Sequence, residues 1–131
     1  MSVENTRKTI TQYFNSNHDN LTMMADDVIF TVMATGDEHK TPEGVAQMLH
    51  YFYQIAFAAD ATPTNLIIDD GHAVWAGTFH GKHIGEFAGI PATGKDVRVP
   101  LCVVYDIQEE QITRGRIYFE MPALFAQLGV A

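Results

Sequence analysis

From Thr64 to Phe119 the chain reads as short apolar runs separated by turn chemistry, and this succession most limits the possible folds. The runs are Asn65-Leu66-Ile67-Ile68, then Ala73-Val74-Trp75-Ala76-Gly77-Thr78-Phe79-His80, then Val97 to Ile107, then Ile112 to Phe119. Asp70-Gly71 between the first two is a tight-hairpin signal, and β-branched and aromatic runs spaced in this way form an antiparallel meander. Helical patterning precedes it. Val3, Ile10, Tyr13 and Phe14 fall at loose helical spacing behind Ser2, a plausible N-cap, and Leu21 to Ala25 extend this helix or form a second short one. Val28 to Met33 reads as a strand, followed by a turn at Thr35-Gly36-Asp37. Thr41-Pro42 then starts a helix whose apolar positions are Val45, Met48, Leu49, Phe52, Ile55 and Ala56, with Ala58 to Pro63 expected to end it. A terminal helix is expected from Ala123 to Leu128. Helices first and antiparallel strands after make an α+β order.

A chain of 131 residues fits a single domain over positions 1–131, and 47% hydrophobic with 18% charged residues marks it as globular. Its formal net charge is −8 and its eight basic residues are scattered, which is a poor footprint for nucleic acid. The polar N-terminus shows no signal peptide and no window reaches the length of a membrane span, so the expectation is a cytoplasmic protein with no membrane partner. Cys102, the single cysteine, sits in an apolar run and reads as a small buried residue. There is no G-x-S-x-G elbow, no phosphate-binding G-x-x-x-x-G-K-[ST] loop and no dinucleotide fingerprint, and the expectation is a protein without a cofactor.

The candidates for chemistry are therefore acid/base groups. Glu120 is the only carboxylate between Gln111 and the C-terminus and stands where a strand gives way to a helix. Facing an apolar cavity it would be a competent proton acceptor, whereas at a solvated strand end it would only favour the following helix dipole. Tyr118 and Arg116 share its strand face by the two-residue repeat. Tyr118 could orient a carbonyl or an enolate, and Arg116 could hold the carboxylate or a substrate anion. Trp75, Gly77 and Phe79 share one face of their strand, with Val74, Ala76, Thr78 and His80 on the other. His80 and the helical His50 are candidate hydrogen-bonding or acid/base groups. Tyr13, Phe14, Met23 and Met24 could wall a cavity or simply fill a core. The histidines at 18, 39, 50, 72, 80 and 83 show no metal-ligand spacing, so no metal is expected. The abundant aromatics, eight Phe, five Tyr and one Trp, suit the walls of a pocket.

Two segments carry a family resemblance: Gly85-Glu86-Phe87-Ala88-Gly89-Ile90-Pro91-Ala92-Thr93-Gly94-Lys95, and Tyr118-Phe119-Glu120 followed by Leu124-Phe125-Ala126-Gln127-Leu128-Gly129. Together they resemble the SnoaL-like polyketide cyclases and ester cyclases of the nuclear transport factor 2-like superfamily. The resemblance implies a cone-shaped α+β barrel, cystatin-like, in which a curved antiparallel sheet wraps around N-terminal helices and encloses an apolar pocket. Glycines at 77, 81, 85, 89 and 94 suit such a bent sheet. In these cyclases an aspartate at the end of the last strand is the acid/base of an aldol ring closure, and the matching position here is Glu120. The expected function is a cofactor-independent acid/base enzyme acting on a small apolar, polyketide-like carbonyl compound by aldol cyclisation or isomerisation. Catalysis would fall to Glu120, Tyr118 and His80, and substrate binding to Tyr13, Phe14, His50, Trp75 and Phe79. The alternative is a non-catalytic module binding a small hydrophobic ligand. A homodimer is expected.

Overall fold

The computed structural model describes residues 2–15 and 21–129. Helix α1, Val3–Asn15, begins where the Ser2 hydroxyl accepts the Asn5 N–H at 3.1 Å. Its inner face buries Thr6, Thr9, Ile10 and Tyr13, the two threonine hydroxyls turning back onto the carbonyls of Ser2 and Asn5 at 3.0 and 2.9 Å. The Thr6 hydroxyl also accepts the Gly71 N–H at 3.0 Å, which ties α1 to a distant hairpin. A 3-10 turn at Leu21–Met23 leads into strand β1, Met24–Val32, and strand β2, Asp37–Lys40. Helix α2, Thr41–His50, is entered through the Thr41 hydroxyl, which accepts the Gly44 N–H at 3.2 Å, and it runs on as a π-helical turn over Tyr51–Ala56. Then come β3, Phe57–Asp69; β4, His72–His83; β5, Asp96–Gln108; β6, Gln111–Phe119; and helix α3, Met121–Leu128, ended by Gly129 in the left-handed conformation.

The six strands form one curved sheet in the order β2-β1-β6-β5-β4-β3, antiparallel throughout except for β1 beside β6. Three expectations need correction. Ala58 to Pro63 do not merely end the long helix; they are the first half of β3, because β4 continues to His83 and supplies partners from Phe57 onward. Pairing has overridden weak local strand character, and Pro63 is accommodated because β3 is an edge strand and its register shifts between Pro63 and Asn65. Strand β2 was not expected, since Asp-Glu-His-Lys carries no apolar alternation; a polar edge strand is stabilised by its partner alone. The strand placed at Val28 begins instead at Met24, and it joins β6, so the sheet does not come wholly after the helices.

The sheet bends where its glycines allow two backbones to meet. A Cβ on Gly77 would lie 2.2 Å from the Thr62 carbonyl oxygen, and one on Gly81 would lie 2.4 Å from that of Ala58. Two apolar clusters fill the concave side. One joins α1, α2 and the strands around Phe30 and Tyr105; the other packs Phe57, Phe79, Phe87 and Phe119 against Leu124 and Leu128 of α3. The Gly85 to Lys95 segment folds back over buried His83, whose Nδ1 accepts the Thr93 N–H at 3.2 Å.

Candidate functional site: an aromatic cavity behind the sheet

Alternation along the strands decides which side chains meet. The inward positions are Trp75 and Phe79 on β4, Leu101, Val103 and Tyr105 on β5, and Ile117 and Phe119 on β6, and all of them wall a cavity of about 990 Å³. Helix α1 closes it with Tyr13 and Phe14, and the end of α2 with its π-helical turn contributes Met48, His50, Phe52 and Tyr53. A π-turn admits an extra residue per turn and so changes which side chains a helix end presents. Phe52 is held by the rings of Phe57, Phe79, Phe87 and Phe119 at centroid separations of 5.2–6.1 Å.

The residues expected to bind substrate, Tyr13, Phe14, His50, Trp75 and Phe79, all line this cavity. The expected catalytic trio is not gathered there. Tyr118 lies on the outer sheet face with 45% of its surface exposed, and His80 on that same face places Nε2 2.8 Å from the Thr62 hydroxyl. Glu120 is exposed at the entry to α3; its N–H approaches the Pro100 carbonyl at 3.5 Å, and its carboxylate makes no capping hydrogen bond. Arg116 does not pair with it. That guanidinium grips Asp106 with two hydrogen bonds of 3.2 and 3.1 Å, and His72 Nδ1 lies 3.2 Å from the same carboxylate. Partial burial pushes the Asp106 carboxyl up, but the hydrogen bonds and charges of Arg116 and His72 outweigh it and hold the group below its ordinary value. Cys102 is half-buried on the outer face, where full burial was expected.

Residue-by-residue reading of the sequence passed over Tyr53, Tyr105 and Asp60, which also line the cavity. The signal for Tyr105 was present: it repeats the inward phase of Val103 two positions on. Burial raises Tyr105 well above the ordinary phenol value, and the neighbouring charges of Tyr13, Tyr53 and Cys102 add to it. Burial likewise raises Tyr13, with Tyr53 adding, and it pushes Tyr53 up to about 12, with the Asp60 carboxylate adding. All three phenols are therefore neutral hydrogen-bond donors over the physiological range. Asp60 is the one carboxylate among the described lining residues. No three His, Cys, Asp or Glu side chains among the described residues gather into a cation site, and His18 lies outside those residues. No described helix is long and apolar enough to cross a membrane.

A curved mixed sheet closing over helices and an aromatic cavity is the nuclear transport factor 2-like, ketosteroid isomerase-like fold. The chain belongs within it to the SnoaL-like polyketide cyclase family, whose model matches residues 7–128. A candidate SnoaL-like polyketide cyclase from Jannaschia sp. CCS1 superimposes with a TM-score of 0.85 at 14% identity, covering 98% of this chain and 94% of its own. A candidate polyketide cyclase from Silicibacter sp. TM1040 gives 0.79 at 20% identity, covering 97% of each chain. A protein of ketosteroid isomerase-like fold from Catenulispora acidiphila DSM 44928, in complex with trimethylamine, gives 0.74 at 16%, covering 96% of this chain and 95% of its own. A search of curated proteins finds no significant match.

Proposed function

We propose that the protein binds a small apolar cyclic or polyketide-like carbonyl compound in the cavity and catalyses proton transfer beside its carbonyl. The observation that carries this reading is the cavity: about 990 Å³ walled by aromatic and aliphatic side chains, with phenols, one imidazole and one carboxylate as the ionisable groups among its described lining residues. Such a pocket orients a flat apolar body and offers few but directed polar contacts. A carboxylate takes a proton from the carbon next to the carbonyl, leaving the electron pair in an enolate. The enolate carbon then attacks a second carbonyl of the same molecule to close a ring, and the resulting alkoxide takes the proton back; return of the proton to another carbon gives isomerisation instead. No cofactor takes part in either course.

Two carboxylates are candidates for the proton transfer. Glu120 holds the family motif position, and Asp60 holds a place in the cavity lining. The decisive experiment assays Glu120→Gln and Asp60→Asn side by side on a diketone that can close intramolecularly. Loss of about 10²- to 10⁴-fold in turnover identifies the acting carboxylate. Full activity in both would overturn acid/base catalysis by these groups. The second reading, a non-catalytic module that stores or senses a small hydrophobe, is favoured by the position of Glu120, which is exposed and stands outside the described cavity lining.

A further inference from the structure

His83 ends β4 on the inward phase of Trp75 and Phe79 and is fully buried. The Phe57 ring lies against it at a centroid distance of 5.1 Å, and Thr93 meets its Nδ1 twice: the Thr93 N–H donates to that nitrogen at 3.2 Å and the hydroxyl lies 3.0 Å away. A ring nitrogen that accepts an N–H carries no proton of its own, so the imidazole is neutral with its proton on Nε2. That Nε2 is buried without a hydrogen-bond partner among the described residues. No described carboxylate pairs with the ring. On β3 its neighbour is the apolar Phe57; on the Gly85 to Lys95 strap Glu86 is exposed, and Lys95 sends Nζ to the Leu128 carbonyl at 3.4 Å. Asp96 at the start of β5 turns instead to Lys82 of β4 at 3.8 Å, and His80 faces the outer side with Thr62.

The strap itself is lightly held. From Glu86 to Lys95 only Phe87 is buried, and the backbone turns through positive φ at Ala88, Gly89 and Gly94. Apart from Thr93, its ties are the Phe87–Ile90 bridge, the Tyr51 hydroxyl on the Glu86 carbonyl, the backbone bonds of Gly94 and Lys95 to His83, and the Phe87 ring against Phe52 and Phe57 at 5.2 and 5.4 Å. A segment with so few buried contacts opens locally while the sheet stays folded.

We propose that His83 is a proton-operated latch on this strap: the neutral imidazole holds it closed through Thr93, and uptake of a proton at Nδ1 releases it, uncovering the Phe52 and Phe57 rings that Phe87 covers. A proton at Nδ1 occupies the lone pair that the Thr93 N–H needs and sets two N–H groups against each other. It also leaves a cation in an apolar site with no acceptor for Nε2–H. Opening lets water solvate both nitrogens. The open strap therefore binds the proton that the closed strap excludes, and falling pH favours opening. The latch does not depend on what the cavity binds.

The test is amide hydrogen exchange read by mass spectrometry, each rate divided by that of an unstructured peptide at the same pH. An imidazole in water takes up its proton near pH 6.5, so between about pH 7.5 and about pH 5.5 the open fraction should rise about tenfold. Peptides covering Phe87 to Gly94 should lose protection by that factor while those of β5 and β6 keep theirs. His83→Asn, whose amide oxygen can accept the Thr93 N–H at either pH, should hold the strap equally protected at both; thermal melting confirms that it is folded. A strap that does not respond to pH, a response shared equally by β5 and β6, or a response retained in His83→Asn overturns the latch. If His83→Asn does not fold, ¹⁵N imidazole spectra of the wild type decide. The expected result is the Nε2–H tautomer at about pH 7.5 and charging of His83 at the same midpoint as the loss of strap protection; charging while the strap stays protected overturns it.

Discussion

Gly77→Ala tests whether the sheet is bent by the close approach of two backbones. The added methyl carbon would stand 2.2 Å from the Thr62 carbonyl oxygen and 3.0 Å from the Pro63 Cα, both main-chain atoms, and 2.6 Å from Cη2 of Trp75. Relief requires β3 to move away from β4 by about 1 Å, since non-bonded contacts are comfortable only beyond about 3.2–3.5 Å. Overpacking costs about 1–3 kcal/mol, and the weakening of one ladder hydrogen bond costs about 1 more. A destabilisation of about 2–4 kcal/mol lowers the Tm of a domain this size by about 6–16 °C. Thermal and urea melts measure it, and the fluorescence of Trp75, the only tryptophan, should shift because its indole is pushed toward the cavity. Gly44→Ala is the control: its methyl would meet only the Thr41 hydroxyl at 3.5 Å, and inside α2 the change is expected to stabilise by about 0.5–1 kcal/mol. A Gly77→Ala protein melting within about 2 °C of wild type would refute the argument.

Thr41 combines a β-branched side chain with φ of 67°, so Thr41→Asn, which keeps an N-cap oxygen and tolerates the left-handed region, should stabilise by about 1 kcal/mol in the same melts. The lowered Asp106 carboxyl contributes stability that is present above the ordinary value of 3.8 and lost as pH falls through its depressed folded value. Asp106→Asn should therefore be less stable than wild type at neutral pH by about 1 kcal/mol, the gap closing in acid urea melts; a gap unchanged at low pH would refute the assignment. Tyr53 has the opposite sign: its raised value stabilises the fold below pH 10.0 and that contribution fades toward about 12, so Tyr53→Phe should flatten the alkaline loss of stability across this interval. The outer sheet face, where Ile67 is 62% exposed near Val74 and Val104, is proposed to hold a second copy of the chain, and Ile67→Lys should give monomers in sedimentation where wild type gives dimers.

How much could be read before the fold was known follows from the range of each interaction. Periodicity and turn chemistry are local, so α1, the core of α2, the Asp70-Gly71 hairpin and the long runs of β5 and β6 are legible in the sequence to within a few residues. The segments Gly85 to Lys95 and Tyr118 to Gly129 carry the resemblance to the family in the identities of their residues. Polar β2 and the Ala58 to Pro63 half of β3 are invisible to such reasoning, because only hydrogen-bonded partners on another strand make them strands.

The candidate site divides along the same line. Alternation puts Trp75 and Phe79 on one face of their strand, and helical spacing puts Tyr13 and Phe14 on an apolar side of α1; that much the sequence determines. Which face of each strand turns inward is a matter of the phase of the whole sheet, and only the tertiary structure decides it. On β6 that phase turns Ile117 and Phe119 into the cavity and Tyr118 out, while Glu120 stands exposed where the strand ends. On β5 it turns Tyr105 in, to meet Tyr13 from α1 and Tyr53 from the π-turn. A one-residue change of phase moves every side chain of a strand to the other face, so an alternating pattern can name the two candidate surfaces of this protein, and only the packed sheet chooses between them.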